Sequence, residues 1–554
     1  MFRKIMRLFL VVFLLAEGLL LTLGLPPFQK FDETAHFTRA VALSSGQLFC
    51  RNGHFIIPKV YEDVQKSFNF EKVLLENQKF PLGLIDFNRS WTKDDLKETV
   101  NIGGCGLNFL GYIPNSLGVW LTSWTNQPAV IFYAGRLFGF LFLLLMLKIG
   151  LKIINKKFEY LLWFYALMPM VVHQATAYSY DVVILGSVLP LTALWFSKHR
   201  GWLAYAIVLL ISIIKPVYLP LILLFGLDRR KIIVIGLVTV MVLGTGKLGK
   251  GENNYPTFVN PKLQLEVIKN DLIYFLEVVK DTWVEKFLPH FEEMVGVMGW
   301  RNMPMINNYL YFAFVILAVF VVARLAKDLK NKIKLSELVV IGGVIFLVTF
   351  LTTLVMYLMW SYPGNSSVEG IQGRYWLPLV PLWLVLISGL MVYFKNILLG
   401  LLLVGVLVNM GNSLWNRYFD WSGNTVNKLE LKMPADKLLL IDKETNLLKE
   451  VAEKNISGLA LNLDNRNKKI IVPYRYQIMN SECKKIYRHG YLKPWDVQGE
   501  RQMILEFKPI VVGEDWLCLK LTPLLVDSKD YADILTIKVT NGQPQMEWVY
   551  FDNK

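Results

Sequence analysis

The chain has 554 residues, 54% of them hydrophobic, and a mean hydropathy of +0.39. A soluble globule of this composition would expose a large apolar surface, so the composition excludes a soluble enzyme and indicates a membrane protein. The formal net charge of +15 does not indicate nucleic-acid binding, because the Lys and Arg residues cluster between apolar runs, as they do in cytoplasmic loops. We therefore expect a polytopic all-α membrane bundle in the cell membrane, with the lipid bilayer and not nucleic acid as its partner.

Apolar runs near the length that crosses ~30 Å of hydrocarbon as a helix predict about nine membrane spans. The first run ends at Pro26 and Pro27 without a small-residue cleavage site, so we expect a retained helix and not a signal peptide. The predicted spans are residues 8–25, 129–151, 160–178, 181–197, 232–248, 309–326, 337–360, 374–393 and 396–415.

The apolar segment 202–227 contains Lys215 and Pro216 at its middle and can be interpreted in two ways. A single crossing would place the basic residues 229–231 outside and invert every later loop. A re-entrant pair of half-helices keeps the basic loops in the cytoplasm, and Pro216 supplies the break. We favour the re-entrant pair, which places the N-terminus in the cytoplasm and the C-terminus outside the cell.

This topology divides the chain into membrane segments (1–25, 129–248 and 309–415) and three large outer segments. The outer segments are a first loop with an acidic motif (26–128), a second loop (249–308) and a tail (416–554). The tail begins with a helix-like linker over 428–454 and continues as a small β-rich domain. Its predicted strands are KIIVPYRYQI, RQMILEFKPI, DWLCLKLTPLLV and DILTIKV.

The four cysteines all lie in the outer segments, where disulfides can form. Two disulfides and unpaired thiols are both compatible with the sequence, since spacing alone does not set connectivity. The four are Cys50, Cys105, Cys483 and Cys518.

Directly after the first span, the stretch PPFQKFDETAHFTRAVALSSG places Asp32, Glu33, His36 and Arg39 within eight residues. On a helix, Asp32, His36 and Arg39 share one face. Two carboxylates, an imidazole and a guanidinium can abstract a proton, hold a metal or bind phosphate. The alternative is a solvated, salt-bridged helix start. We favour a site in which Asp32, Glu33 and His36 are catalytic and Arg39 binds the substrate.

The motif SVEGIQGRYWLPLVP leads into the predicted span at 374. Arg374 would lie at the outer membrane surface, where its guanidinium can bind a phosphate diester through two hydrogen bonds. Gln372 and Tyr375 flank it in the motif, and an aromatic ring suits headgroup depth. An ordinary interfacial anchor explains the same pattern.

Charged residues near or within the spans add three candidates for substrate binding. Asp181 lies between two spans and could face the outer cavity or act only as a helix N-cap. Arg136 and Lys215 need partners, because an isolated charge in the bilayer costs several kcal/mol. Glu17 could pair with either of them for structural reasons, or the two cations could line a pocket for an anionic lipid head.

The sequence contains no phosphate-binding loop, no dinucleotide fingerprint, no HExxH and no zinc-spaced CxxC pair. These patterns carry the geometry that nucleotide and zinc chemistry need. ATP-driven work and zinc hydrolysis are therefore poorly supported.

Several motifs together resemble the bacterial and archaeal membrane family catalogued as domain of unknown function 2142. They are FDETAHFTRAVALSSG, YAGRL, SYD, KPVYLPL, VGVMGWRNMP and EGIQGRYWLPLVP, spread over about residues 26–415. That family is similar to the GT-C superfamily of membrane glycosyltransferases. The resemblance implies a multi-helix bundle, polyprenyl-phosphate sugar donors and an acidic residue early in the first outer loop, which is Asp32 with Glu33 beside it.

The second acidic position implied by the resemblance is Asp181. This loop offers a single acid in SYD and not an acidic pair, so we expect no metal-ligand set and no certain cofactor, although a divalent cation could be bound. The implied function is inverting transfer of a sugar from a polyprenyl-phosphate donor to an envelope glycan or lipid acceptor on the outer face. The runner-up is a transporter or flippase of lipid-linked saccharides, and a non-catalytic scaffold for envelope assembly comes third.

Overall fold

The structure is a computed structural model, in which the described residues fall into two compact units. Unit 1 comprises Met1–Asn254, Lys286–Thr352 and Ile371–Leu398, and unit 2 comprises Tyr255–Glu285, Thr353–Gly370 and Leu399–Lys554. The structure describes residues 2–30, 32–49, 54–61, 64, 88, 90–91, 99–102, 109–198, 201–226, 229–248, 259–298, 303–304, 308–330, 332–390, 437–441, 445–450, 455–465, 474–492, 499–511, 516–523, 535–540, 543–544 and 546–550.

The described part of the chain is mostly helical up to residue 390 and forms strands after residue 436. Short 3₁₀ helices lie at Phe109–Tyr112, Ser123–Thr125, Pro216–Phe225 and Gly373–Leu379. The α-helices are α1 (Phe2–Leu23), α2 (Glu33–Ser44), α3 (Ile113–Thr122), α4 (Pro128–Ile153), α5 (Glu159–Ala166), α6 (Pro169–Ala175), α7 (Asp181–Phe196), α8 (Trp202–Ile214), α9 (Arg229–Leu248), α10 (Pro261–Asn270), α11 (Leu272–Gly296), α12 (Asn308–Leu329) and α13 (Leu335–Met359).

Four described helices are long and apolar enough to cross a membrane: Ile5–Leu23, Pro128–Ile153, Leu335–Met359 and Gly373–Leu390. They coincide with four predicted spans, which confirms a helical membrane protein, whereas the predicted count of nine is not confirmed. α7, α8 and the 3₁₀ helix Pro216–Phe225 are shorter apolar helices.

Four other predicted spans have different outcomes. Residues 160–178 contain α5 and α6 instead of one helix, because Met168 precedes Pro169 and adopts an extended backbone that the proline favours. The predictions at 232–248 and 309–326 fall on α9 and α12, which are helical throughout. The predicted span 396–415 lies outside the described residues.

The segment 202–225 doubles back on itself. Lys215 separates α8 from the 3₁₀ helix Pro216–Phe225 with an extended backbone (φ −138°, ψ 99°). The Tyr205 hydroxyl near the start of α8 donates to the Phe225 carbonyl at 3.2 Å, so the two ends of the segment lie side by side. The return of the chain at Lys215 agrees with the predicted half-helix pair, and its depth in a membrane stays a prediction.

The described residues between α1 and α4 pack against the beginning of α4. Phe37 of α2 contacts the rings of Phe132 and Tyr178 at centroid distances of 5.5 and 5.1 Å. Strand β1 (Phe55–Pro58) pairs antiparallel with β2 (Thr99–Ile102). Gly118 lets α3 approach α4, because a Cβ atom there would lie 2.6 Å from the Ala134 carbonyl oxygen. The described residues of this segment are therefore a folded part of unit 1.

Unit 1 also contains a short antiparallel pair of strands, β3 (Val297–Met298) and β4 (Met303–Pro304). The tail strands are β5 (Lys437–Ile441), β6 (Thr445–Glu450), β7 (Asn455–Asn465), β8 (Tyr474–Asn480), β9 (Ile486–Leu492), β10 (Gly499–Val511), β11 (Trp516–Pro523), β12 (Leu535–Thr540), β13 (Gln543–Pro544) and β14 (Met546–Tyr550). They form two antiparallel sheets in unit 2. One has the order β6-β11-β8-β9; the other has the order β10-β7-β12-β13, with β14 also paired to β7 and β5 also paired to β12.

The β-rich tail is confirmed, but the helix predicted over 428–454 is wrong for its described part, which forms β5 and β6. Pairing explains the difference: Leu447 of β6 is buried opposite Leu519 of β11, and tertiary contacts of this kind override helix propensity. A disulfide joins Cys483 to Cys518, whereas Cys50 and Cys105 lie outside the described residues.

Candidate functional site

Asp32 caps the start of α2 and presents a partly exposed carboxylate. Its backbone is left-handed (φ 54°, ψ 16°), and its side chain makes no capping hydrogen bond, so the carboxylate is directed elsewhere. An Oδ2 atom lies 3.1 Å from Nη2 of Arg374, and the Asp32 side chain is 42% exposed while that of Arg374 is 6% exposed. The ion pair therefore joins a carboxylate open to solvent with a buried guanidinium.

Arg374 is held in place by the first residue of its 3₁₀ helix. The Gly373 N–H donates to Glu293 Oε2 at 2.8 Å. A Cβ atom at Gly373 would lie 2.1 Å from the His290 carbonyl oxygen, so only glycine allows the backbone to come this close. With the backbone fixed, Nε of Arg374 lies 3.9 Å from Asp181 Oδ2, and the guanidinium spans two carboxylates.

Lys215 completes this charged cluster, which comprises Asp32, Asp181, Lys215 and Arg374. Its Nζ donates to Asp181 Oδ1 at 3.2 Å and lies 4.2 Å from the centroid of the Tyr375 ring. The break between α8 and the following 3₁₀ helix places this lysine opposite the first turn of α7. Asp181 thus holds two cations side by side, as a site for an anionic group requires.

His36 borders the cluster without joining an ion pair. Its Nδ1 lies 2.6 Å from the Tyr112 hydroxyl, and its ring packs edge-on against Tyr180. Burial, with the positive charge of Arg374 nearby, lowers the pKa of His36 to about 3. Burial also raises the pKa of Tyr112. Both groups are therefore uncharged at neutral pH.

Glu33 is adjacent to Asp32 in sequence but lies in a different environment. Its carboxylate receives Nε and Nη2 of Arg136 at 2.8 and 2.5 Å, and both side chains are fully buried. Arg136 also donates to the carbonyls of Thr22, Leu25 and Pro26. This buried pair fastens the end of α1 and the chain leading to Asp32, and it does not open onto the charged cluster.

Lys30, which the sequence analysis missed, fixes the same segment from the other side. Its fully buried Nζ donates to the Thr176 hydroxyl at 2.6 Å and also to the carbonyl oxygens of Thr176 and His173. Carbonyls at the C-terminal end of α6 suit a cation. Burial and the proximity of Arg136 lower the pKa of Lys30. Lys30 lies within the stretch PPFQKFDETAHFTRAVALSSG, but no spacing there marks it as a buried residue.

The other predicted residues lie around the cluster or away from it. Arg39 donates to the carbonyls of Gln47 and Leu48 at 3.0 and 2.8 Å. Gln372 precedes the 3₁₀ helix, and its carbonyl accepts from the Tyr375 N–H. Glu17 pairs with neither Arg136 nor Lys215, so the suggested structural pairing is wrong. Those two cations are taken by Glu33 and Asp181.

The described residues contain no group of three or more His, Cys, Asp or Glu side chains that could hold a metal ion. The carboxylates of Asp32 and Asp181 meet around the guanidinium of Arg374 instead.

The comparison with protein families connects this cluster with a known group. A family model described as "Predicted membrane protein (DUF2142)" matches residues 15–383. The chain belongs to the DUF2142 family. The DUF2142 region contains all four members of the charged cluster and ends before the β-rich tail. No curated protein and no solved structure matches the chain.

Proposed function

We propose that this DUF2142 protein is a membrane glycosyltransferase of the GT-C type. It takes a sugar from a polyprenyl-phosphate donor and attaches it to a cell-envelope glycan or lipid on the outer face. The observation that carries the proposal is the ion pair between the exposed carboxylate of Asp32 and the buried guanidinium of Arg374. A base open to an acceptor, next to a cation suited to a phosphate, is the minimum that this reaction needs.

The chemistry follows from the charges of the cluster. The donor phosphate takes the place of the Asp32 carboxylate at Arg374, which frees that carboxylate to act as a base. Asp32 accepts the proton of an acceptor hydroxyl, whose oxygen attacks the anomeric carbon from the face opposite the phosphate. The bond between that carbon and the phosphate oxygen breaks, the configuration inverts, and polyprenyl phosphate leaves.

The remaining residues stabilise or position these groups. Arg374 and Lys215 neutralise the charge that develops on the leaving phosphate, and such stabilisation is strong where water is excluded. Asp181 holds the two cations together. Neutral His36 and Tyr112 line the base without competing for the proton. The buried Glu33–Arg136 pair acts through the backbone of Asp32 and is assigned a positioning role.

The experiment is turnover by purified full-length protein with polyprenyl-phosphate sugars and an envelope acceptor fraction, followed by release of polyprenyl phosphate. Asp32→Asn keeps the shape of the side chain but removes the base, so we expect a rate loss of roughly 10²- to 10⁴-fold with donor binding retained. The matched control is Asp281→Asn, since Asp281 is exposed and pairs only locally with Lys280. Turnover above about a tenth of the wild-type rate would reject Asp32 as the base.

A second candidate is a transporter or flippase of lipid-linked saccharides. It is favoured by the chain break at Lys215, because broken helices with charged residues at the break occur in transporters. In this case wild-type protein reconstituted in vesicles would move the labelled lipid between leaflets and release no polyprenyl phosphate. Either proposal places the N-terminus in the cytoplasm and the tail outside.

A further inference from the structure

A cavity of about 430 Å³ lies in unit 1, at the opposite end of α1 from Asp32. Its walls come from α1, α4 and α5, and it is separate from the charged cluster. The residues that line it are Arg7, Val11, Leu14, Leu15, Leu144, Leu147, Lys148, Leu151, Lys152, Glu159 and Trp163.

The packing of α1 explains why the cavity exists. In the last third of its length, α1 touches α4 so closely that a Cβ atom at Gly18 would lie 2.0 Å from the Phe140 ring. At its beginning, α1 is tied to α5 by an ion pair between Arg7 and Glu159 at 2.6 Å. Between these two points the side chains do not fill the space between the helices.

The cavity combines an apolar wall with a basic mouth. Leu14 and Leu147 are buried at its base, while Val11 and Leu15 are exposed beside it, so it opens sideways where lipid chains would lie. Arg7, Lys148 and Lys152 contribute three positive charges against the single carboxylate of Glu159. An amphipathic molecule with an apolar chain and a negative head matches both parts.

We propose that this cavity is a binding site for an acidic phospholipid, with the phosphate at Lys148 and Lys152 and an acyl chain along Leu14 and Leu147. The site is distinct from the donor site, since it lies at the basic end of the same helices. The assignment of this end to the cytoplasmic leaflet follows the positive-inside pattern.

The test uses full-length protein in detergent micelles, with phosphatidylglycerol or phosphatidylcholine of identical acyl chains as the probe. Native mass spectrometry counts the lipid that stays bound, and a titration gives its affinity. We expect retained phosphatidylglycerol and a loss of roughly fivefold in affinity for Lys148→Gln and for Lys152→Gln, or roughly thirtyfold when both are changed.

Lys156→Gln is the matched control, because Lys156 is exposed just beyond α4 and does not line the cavity. An equal loss in this variant would show attraction to the surface in general and would overturn the site. Equal retention of phosphatidylcholine, or displacement of the lipid by glycerol 3-phosphate at similar concentration, would also overturn it. Since lipid retention is read without turnover, failure here leaves the glycosyltransferase proposal untouched.

Discussion

At the scale of single residues, Arg374 shows how one side chain can lie between two carboxylates and interact with both. Its Nη2 and Nε atoms face Asp32 and Asp181, and the planar guanidinium sets the distance between them. A lysine has the same charge on a single nitrogen, so it lacks the planar fork that binds two phosphate oxygens in one plane.

Arg374→Lys should therefore lose donor affinity by tenfold or more, while the protein still inserts and purifies normally. Equilibrium binding of a polyprenyl-phosphate sugar gives the measurement. Arg324→Lys is the control, since that guanidinium is 62% exposed and lies outside the cluster. Equal donor affinity for wild type and Arg374→Lys would make Arg374 an interfacial anchor only.

His36 should make folding sensitive to acid. Its folded pKa is depressed to about 3 by burial, below the unfolded value of about 6.5. The unfolded state therefore binds the extra proton as pH falls below 6.5, and the stability that His36 contributes above that pH is lost progressively towards pH 3. Between pH 6.5 and 5 the loss is about 2 kcal/mol.

Thermal unfolding in detergent across this pH range measures the effect. His36→Asn should flatten the dependence, although its stability at pH 7 will be lower because the contact with Tyr112 changes. His489→Asn serves for comparison, since His489 is exposed on β9. An unchanged slope in His36→Asn would mean that other groups cause the acid sensitivity.

The four charged residues of the cluster could be predicted from sequence, because each stands beside an apolar run that cannot accommodate a bare charge. Their pairing could not, since nothing local connects Asp32 to Arg374 across the chain. In the sequence, Glu33 is as good a candidate for the base as Asp32, because pairing with distant residues cannot be seen there. The left-handed backbone at Asp32 separates the two neighbours, and sequence spacing on an ideal helix does not reveal such a turn.

At the scale of elements, the close packing of α3 on α4 depends on Gly118. Asn115, on the same helix, donates to the carbonyls of Gly135 and Ala177 at 2.9 and 3.0 Å. α3 thus connects α4 with the chain that enters α7 and carries Asp181. A displacement of α3 would be transmitted to the charged cluster.

Gly118→Ala should destabilise the protein by about 1–3 kcal/mol, because the new methyl group would meet backbone atoms that cannot move aside. Gly236→Ala is the matched control, since a Cβ atom there has no neighbour within 4 Å. Alanine favours the helix at an open position. Thermal unfolding of the two variants should therefore differ, and equal melting temperatures would argue against tight α3–α4 packing.

Long apolar elements were predictable from sequence, while broken and paired ones were not. α4 and α13 follow from hydropathy alone. The chain divides into α5 and α6 at Pro169. The sequence prediction gave more weight to the apolar run around this proline and so expected one continuous helix. The residues of β5 and β6 carry helix-favouring side chains, and only pairing with distant strands makes them extended.

At the scale of the whole molecule, the charge distribution predicts which exposed positions face outwards. Glu369 and Lys330 are both exposed, so access to a reagent depends on the side of the membrane and not on burial. A cysteine at position 369 should react with a membrane-impermeant maleimide in intact cells, and one at 330 should react only after permeabilisation. Labelling of position 330 in intact cells would invert the proposed topology.

The division into two units was only partly predictable. A switch from helical to alternating hydrophobic patterns marks the β-rich tail. Both cysteines of the Cys483–Cys518 disulfide lie in this tail. The assignment of 255–285 and 353–370 to the same unit has no sequence signal, because it depends on contacts between segments far apart in the chain.

The left-handed turn at position 32 also limits which residues natural variation can try there. Gly, Asn and Asp adopt this conformation at the lowest cost, and branched side chains at the highest. In a library that replaces position 32 with every amino acid, protein abundance would favour Gly, Asn and Asp. Activity would be retained by Asp alone. Glutamate and alanine would each carry the cost of this backbone, about 1–2 kcal/mol, in addition to a changed side chain. Loss of activity in either variant would therefore not isolate the role of the carboxylate.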